Sequence, residues 1–141
     1  MPERKSVYIA GFRHQNPIPA ASRVGNLLMS GLIVGTEPGT EPGTQRVPDD
    51  LDQQLTNVFA HIHSIMEAAG GSTDDIVKVD VWLKDSTERV LLNKHWLAMF
   101  PDEHARPARH TRPLEPGLPI LVACEIVAVL DSATLSEENP R

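Results

Sequence analysis

The feature that most constrains this fold is an amphipathic helix predicted over residues 49–69. Its apolar residues recur at spacings of three and four, which places them on one side of a helix: Leu51, Leu55, Val58, Phe59, Ile62 and Met66. Asp49 or Asp50 can cap the start, and Gly70-Gly71 favours termination because glycine readily adopts a left-handed conformation. An apolar stripe of this kind has to pack against another element of the chain.

Strands are predicted on both sides of this helix. Residues 76–84 alternate between an apolar face and a mixed face. The apolar face carries Val77, Val79, Val81 and Leu83, and the mixed face carries Ile76, Lys78, Asp80, Trp82 and Lys84. Further strands are expected over residues 7–10, 27–33 and 120–130.

A hairpin turn is predicted at Gly25-Asn26, where the pair can supply positive φ. The strand that follows is interrupted at Ser30-Gly31. A glycine inside a strand marks either a bulge or a place where another group approaches the backbone closely.

A second helix is predicted from residue 85 to the residue before Pro101, with acidic residues in its first turn. Its inward-facing residues are expected to be Val90, Leu91, Trp96, Leu97 and Phe100. The order of elements predicts an α+β fold in which both helices cover one face of a single sheet. Ser30-Gly31, the arginines near residue 109 and the last strand would then lie together at one edge.

Length and composition predict a single domain over residues 1–141, with a core of about 7–130 and a polar tail over 131–141. The net charge of −6 argues against nucleic acid as a partner. The absence of a long apolar run argues against a membrane, and the N-terminus lacks a signal-peptide pattern, so a cytoplasmic protein is expected. The repeated Gly-Thr-Glu-Pro unit over residues 35–44 is expected to form an exposed loop without chemistry.

Two patterns that could carry chemistry are assigned none. His61 and His63 lie two apart on the predicted helix and therefore point in different directions, so no metal site is expected. Cys124 lies within an apolar run, which favours a buried and unreactive thiol.

Residues 106–111 concentrate two arginines, a histidine and a threonine directly before the apolar C-terminal strand. Arginine can bind a carboxylate or phosphate through two parallel hydrogen bonds and stays charged at any working pH. From the residues alone, a solvated basic turn is an equal alternative. If the segment is extended, Arg109 and Thr111 point to one side and His110 to the other.

The order and spacing of several short motifs resemble the Rid family, the reactive intermediate deaminases also called the YjgF family. The resemblance covers about residues 7–130. The motifs are Asn16-Pro17-Ile18, Gly25-Asn26, Ser30-Gly31, Asn57, Glu67-Ala68-Ala69-Gly70, Asp75-Ile76-Val77-Lys78-Val79, Lys84-Asp85, Asn93, Phe100, Arg106-Pro107-Ala108-Arg109 and Glu125-Ile126-Val127-Ala128.

The resemblance implies a chorismate-mutase-like α+β fold that assembles as a homotrimer, with ligand sites in clefts between subunits. It also implies a hydrolase that converts enamines or imines to a carbonyl compound and ammonia without a cofactor or metal. Arg109 would hold the carboxylate of a small substrate. Its neighbours in the site would be Ser30, Gly31 and Asn93, with Thr111 as a further candidate on the Arg109 side.

Two positions depart from the family pattern. Active members carry Gly-Pro-Tyr where this chain has Asn16-Pro17-Ile18, so Ile18 brings no hydroxyl to the site. Active members also carry two glutamates two residues apart in the last strand, the first placing the water, whereas this strand has only Glu125. In one register Glu125 matches the second glutamate and Ala123 occupies the first position; in the other Glu125 itself places the water. The two registers differ by roughly 6.6 Å along the strand.

Two hypotheses follow. The first is an enzyme in which Arg109 anchors the substrate and Glu125 directs the water. The second is a non-catalytic trimer that binds small carboxylates through Arg109 and has lost the water-directing group.

Overall fold

The computed structural model describes residues 3–38 and 46–131. Seven strands form one sheet: β1 (Arg4–Val7), β2 (Ala21–Val24), β3 (Leu27–Ser30), β4 (Ile33–Val34), β5 (Ile76–Leu83), β6 (Ala108–Pro113) and β7 (Val122–Val129). Two helices, α1 (Leu51–Ala68) and α2 (Arg89–Met99), accompany it. Most of the repeat loop predicted over residues 35–44, and all but the first residue of the predicted tail, lie outside the described residues.

The strand order is β1-β2-β3-β7-β5-β6, with β4 also paired to β7. β5 and β6 run parallel and the other pairs are antiparallel, so the sheet is mixed. The prediction of an α+β fold with one sheet and two helices is confirmed. The C-terminal strand β7 lies in the interior of the sheet and separates the N-terminal hairpin from β5 and β6.

Helix α1 forms the centre of the core, as its apolar stripe predicts. Asp50 caps it by accepting a hydrogen bond from the backbone N–H of Gln53 at 3.0 Å, and Gly70 follows its end with φ of 83°. The helix approaches the end of β4 so closely that a Cβ on Gly35 would lie 2.6 Å from the carbonyl oxygen of Gln54. Glycine at position 35 therefore permits this close contact between helix and sheet.

The predicted alternation of β5 holds only in part. Val79, Val81 and Leu83 are buried, but Val77 is 51% exposed and Ile76 is buried in its place. The pairing of β5 with β7 shifts register between Ile76 and Lys78, which is the signature of a bulge. The expectation that Val77 faces the core was wrong because the extra residue reverses the alternation before Lys78.

The buried side of α2 also differs from the prediction. Leu92, Trp96 and Phe100 are buried, whereas Val90 is 82% and Leu97 51% exposed. The helix covers the core with a narrow stripe at a spacing of four residues, so Val90 and Leu97 face outward. Their assignment to the core was wrong, and apolar character alone did not separate the two sides.

The N-terminal hairpin matches the prediction more closely. Gly25 has φ of 59° in the two-residue turn between β2 and β3. Asn26 has negative φ, because only glycines have positive φ within the described ranges. The strand break after Ser30 is confirmed, because β3 ends there and β4 begins at Ile33. The first strand lies at Arg4–Val7 rather than over residues 7–10, where Ile9 forms only an isolated bridge with Phe12.

His61 lies in the core rather than in a metal site. Its ring stacks on Phe12 with centroids 5.1 Å apart, and its Nε2 lies 2.9 Å from the carbonyl oxygen of Thr36. Burial lowers the pKa of His61, and the hydrogen bond with Thr36 partly opposes this. The folded protein therefore favours a neutral imidazole that donates Nε2–H to Thr36.

This burial predicts a loss of stability in mild acid. Because the folded pKa of His61 lies below the unfolded value of about 6.5, only the unfolded chain takes up the proton just below that pH. The urea midpoint should therefore fall as the pH decreases from about 7 to 5. His61→Asn should flatten this slope, and the control His63→Gln, at an exposed position on the same helix, should retain it. An unchanged slope in His61→Asn would contradict the assignment.

Cys124 is fully buried in β7, as its apolar surroundings predict. Burial raises the pKa of its thiol to about 12, with a smaller opposing effect from the charge of Arg109. The native protein should therefore resist an aromatic disulfide reagent at pH near 8, whereas the chain in denaturant should react with one thiol per chain. Rapid stoichiometric labelling of the native protein, followed by absorbance of the released thiolate, would refute this expectation.

Candidate functional site

Arg109 lies on β6, and the pairing of this strand determines where it points. Arg109 pairs with Val79 and Thr111 pairs with Val81, both of which are buried on the helix side of the sheet. Directly paired residues share a face, so Arg109 and Thr111 also point to the helix side. His110 pairs with Asp80 and points to the opposite face. The alternation predicted for an extended segment is therefore confirmed, and the solvated basic turn is not formed.

The guanidinium of Arg109 stacks on the indole of Trp96 in α2, with 5.0 Å between Cζ and the ring centroid. The side chain is half-buried, and burial lowers the pKa of Arg109, with a further contribution from the positive charge of Arg89. Among the described residues, no carboxylate lies within ion-pair distance of Arg109. A half-buried cation without an anionic partner is a suitable binding group for an anionic ligand.

The two neighbouring arginines each have hydrogen-bond acceptors within the chain, although Arg112 Nε has none. Arg112 donates to Asp80 Oδ1 at 3.1 Å and lies over the ring of Trp82 on the open face of the sheet. Arg106 donates to the carbonyl oxygens of Phe100 and Pro101, at 2.8 and 3.2 Å, just beyond the end of α2. This contrast singles out Arg109 from the basic stretch.

Helix α2 contributes the remaining groups beside Arg109. Arg89, Asn93 and Trp96 are spaced by four and three residues, so they lie along one side of the helix. Because Trp96 contacts Arg109, this side of α2 faces the Arg109 edge of the sheet. Asn93 is exposed there. We call Arg109, Thr111, Asn93 and Trp96 the arginine group.

The other predicted residues lie around β3 and β7. Met29 pairs with Val127 and Ile33 with Cys124, so residues 30–32 face only Glu125 and Ile126 across this gap. The Ser30 hydroxyl accepts a hydrogen bond from the Ile126 N–H at 2.9 Å and donates to the Gly31 carbonyl oxygen at 2.8 Å. Of the two alternatives that the sequence leaves open at Ser30-Gly31, the bulge is therefore present.

Ile18 belongs to the same region. Gly31 N–H donates to the carbonyl oxygen of Ala20 at 3.0 Å, which ties the segment containing Ile18 to the bulge. Ile18 lines a small cavity of about 180 Å³ together with Tyr8 and His14. We call Ile18, Ser30, Gly31 and Glu125 the bulge group.

The structure does not bring these two groups together within one chain. β7 and β5 lie between β3 and β6, so three strand spacings of about 4.8 Å, roughly 14 Å in total, separate Ser30 from the strand of Arg109, and two spacings, roughly 10 Å, separate Glu125 from it. Glu125 pairs with Asp80 and faces away from the helices, on the opposite face from Arg109. The expectation that Ser30-Gly31, the arginines and the last strand share one edge was wrong, because β7 enters the interior of the sheet.

The pairing also locates the two possible water-directing positions. Glu125 lies in the row of Asp80 and His110, one residue along from the row that contains Arg109. Ala123 is fully buried and lies in the row of Trp82 and Arg112, three residues from that of Arg109. Both positions face the side opposite to Arg109.

Sequence reasoning missed three side chains near these groups. Arg89 lies on the Asn93 side of α2, and its helical spacing could have identified it. Tyr8, which is exposed, and His14, whose Nε2 has no hydrogen-bond partner, line the cavity beside Ile18. Their position depends on the fold of the loop over residues 11–19, for which the sequence carries no periodic signal.

Within the described ranges, no three or more His, Cys, Asp or Glu side chains are arranged to hold a metal ion. The helices of this part of the chain are also too short or too polar to span a membrane.

Comparisons with known proteins agree with this architecture. Residues 13–130 match the family model described as Endoribonuclease L-PSP. A RutC family protein of Pyrococcus horikoshii is 33% identical over 93 residues, which cover 66% of this chain and 70% of the relative.

Two further matches come from Escherichia coli. The 2-iminobutanoate/2-iminopropanoate deaminase of strain K12 is 33% identical over 87 residues, covering 61% of this chain and 65% of that protein. The crystal structure of the YjgF gene product superposes with a TM-score of 0.75 at 26% identity, covering 89% of this chain and 98% of that one. Since the family model spans most of the chain, the protein belongs to the Rid/YjgF/L-PSP family.

Proposed function

We propose that the protein is a cofactor-free deaminase that hydrolyses a small enamine or imine bearing a carboxylate to a carbonyl compound and ammonia. The observation that carries this proposal is Arg109, which is half-buried, stacked on Trp96 and without a carboxylate partner in the described residues. The name of the Escherichia coli relative, a 2-iminobutanoate/2-iminopropanoate deaminase, supports the same chemistry.

The complete site is proposed to form between copies of the chain, in the clefts of a homotrimer. The arginine group and the bulge group lie on different strands and on opposite faces for Arg109 and Glu125, and β6 is an edge strand whose outer side is unpaired among the described residues. A neighbouring copy at this edge can bring its bulge group towards Arg109.

Apolar side chains on the open face of the sheet support an assembly. Val24, Leu27, Met29 and Val129 are each about half exposed. Val24 pairs with Leu27, which pairs with Val129, so these three form one continuous row across β2, β3 and β7. A contiguous apolar row on an open sheet face is typical of a surface that packs against another chain.

The chemistry assigns a role to each group. Arg109 binds the substrate carboxylate through two parallel hydrogen bonds, and Asn93 and Thr111 offer polar contacts beside it. Glu125 of the neighbouring copy accepts a proton from water as the water oxygen attacks the C=N carbon. Glu125 passes this proton to the nitrogen, which gives a carbinolamine with a hydroxyl and an amino group on the same carbon. The hydroxyl proton then moves to the nitrogen as the C–N bond breaks, so ammonia leaves as the carbonyl group forms. An enamine is first protonated on carbon to give the imine.

A carboxylate-binding protein without turnover is the second candidate. In the register that gives Ala123 the position of the first glutamate, Ala123 and Ile18 favour this candidate. Neither side chain can direct water or donate a proton, as the glutamate and tyrosine usual in active members of the family can. Arg109 would retain its role as the carboxylate anchor in this case.

The first test measures ammonia release from 2-aminoacrylate generated in the assay. Arg109→Met should reduce kcat/KM by about a hundredfold or more, because a charge-assisted pair of hydrogen bonds is lost. Glu125→Gln should reduce kcat by about a hundredfold through loss of the base. Arg4→Met, at an exposed position on β1, serves as the control and should leave the rate unchanged. Ammonia release no faster than the solvent reaction in the unmodified protein would exclude the deaminase.

The second candidate makes a different prediction in calorimetry. Small carboxylates such as 2-oxobutyrate should bind in an Arg109-dependent manner while no ammonia is released. The double substitution Ile18→Tyr with Ala123→Glu should then produce deamination, because it restores the two missing groups. Absence of carboxylate binding would argue against a carboxylate-binding protein. Continued inactivity of the double variant would argue that the loss of turnover is not due to Ile18 and Ala123.

A further inference from the structure

Arg89 is a second arginine without an anionic partner beside Arg109. It is the first residue of α2 and lies on the same side of that helix as Asn93 and Trp96. Its Nε donates to the carbonyl oxygen of Ser86 at 2.9 Å, which leaves the two terminal nitrogens of the guanidinium without an acceptor in the described part of the chain. The side chain is exposed, so a ligand can reach it.

Arg89 lies on the side of α2 that carries Trp96, and Trp96 contacts Arg109, so the two guanidiniums lie towards the same edge of the sheet. After burial, the charge of Arg89 is the next cause that lowers the pKa of Arg109. Like charges repel, and no carboxylate of the described residues lies within ion-pair distance of either guanidinium. An anion bound at each guanidinium would remove this repulsion.

The position of Arg89 within α2 is also unfavourable on its own. The N-terminal turn of a helix favours anions, because its free N–H groups carry partial positive charge, and a cation there is disfavoured. The N-cap residue Glu88 makes no side-chain hydrogen bond to the helix. The helix and its cap do not favour an arginine at position 89, and the hydrogen bond to Ser86 uses only Nε, so the terminal nitrogens can serve a ligand anion.

We propose that Arg89 binds a second anionic group of the ligand, so that the preferred substrate is a dicarboxylic enamine or imine. Arg109 holds the carboxylate next to the C=N carbon, and Arg89 holds the distal carboxylate. This inference rests on the proposed function for the identity of the reacting group. It adds that Arg89 determines specificity and takes no part in the bond-breaking steps.

The test compares ligands that differ only in the distal group. Calorimetry measures binding of 2-oxoglutarate against 2-oxopentanoate, and of 2-oxoadipate against 2-oxohexanoate, to the whole chain. At least one dicarboxylate should bind about tenfold tighter than its matched monocarboxylate, since one charged hydrogen-bonded contact is added. The preference should decrease as salt is raised from about 0.02 M to 0.5 M, because Arg89 is exposed.

Substitutions distinguish the two arginines. Arg89→Met keeps the length of the stem and removes the charge, so it should abolish the preference for dicarboxylates and weaken dicarboxylate binding much more than monocarboxylate binding. Arg109→Met should weaken both kinds of ligand. Arg4→Met, the same substitution at a distant exposed position, should leave all affinities as they are.

Several outcomes would overturn the inference. The inference is wrong if the matched ligands bind equally well to the unmodified protein. It is also wrong if Arg89→Met retains the preference for dicarboxylates, or if it weakens the binding of both kinds of ligand equally. These results leave the proposed function standing, provided that monocarboxylates bind through Arg109 and ammonia is released. If neither kind of ligand binds and no ammonia is released, both the inference and the proposed function fail.

Discussion

The pairing of β7 on both of its edges is the interaction on which the rest of the structure depends. β7 is hydrogen-bonded to β3 and β4 on one side and to β5 on the other. The last described strand of the chain therefore joins the N-terminal hairpin to the β5–β6 pair. This arrangement buries one face of β7 under α1 and also keeps the arginine group and the bulge group on different parts of the sheet.

That separation explains why a site on this fold is proposed between copies of the chain. A small substrate cannot span roughly three strand spacings of about 4.8 Å each, so one subunit presents two incomplete halves. The half at β6 carries the positive charge of Arg109 and the aromatic ring of Trp96. The half at β3 and β7 carries the backbone groups of the bulge, the Ser30 hydroxyl and the carboxylate of Glu125. Carboxylate binding by Arg109 and water activation by Glu125 can then be lost independently, which is why a binding protein is the natural alternative to an enzyme.

The sequence predicts those parts of the fold that depend on local periodicity. The stripe of α1, the turn at Gly25 and the opposite directions of Arg109 and His110 all follow from spacings within one element. Two errors within elements arose where periodicity was broken or incomplete, at the bulge of Val77 and on the outer side of α2 at Val90. The prediction that Ser30-Gly31 lies beside Arg109 was wrong for another reason. The order of strands in a sheet depends on long-range pairing, and the local sequence pattern of β7 does not indicate which strands it pairs with.

Arg89 shows how a local pattern becomes informative once the fold is known. Its spacing from Asn93 and Trp96 is visible in the sequence, but an arginine at the start of a helix ordinarily reads as a solvated side chain. The contact between Trp96 and Arg109 shows which edge of the sheet that side of α2 faces, and it places the guanidinium of Arg89 towards the same edge as that of Arg109. One carboxylate neutralises a single cation, whereas a ligand with two negative groups neutralises both arginines and removes the repulsion between them. The specificity of the site therefore depends on α2 as much as on the strand that carries Arg109.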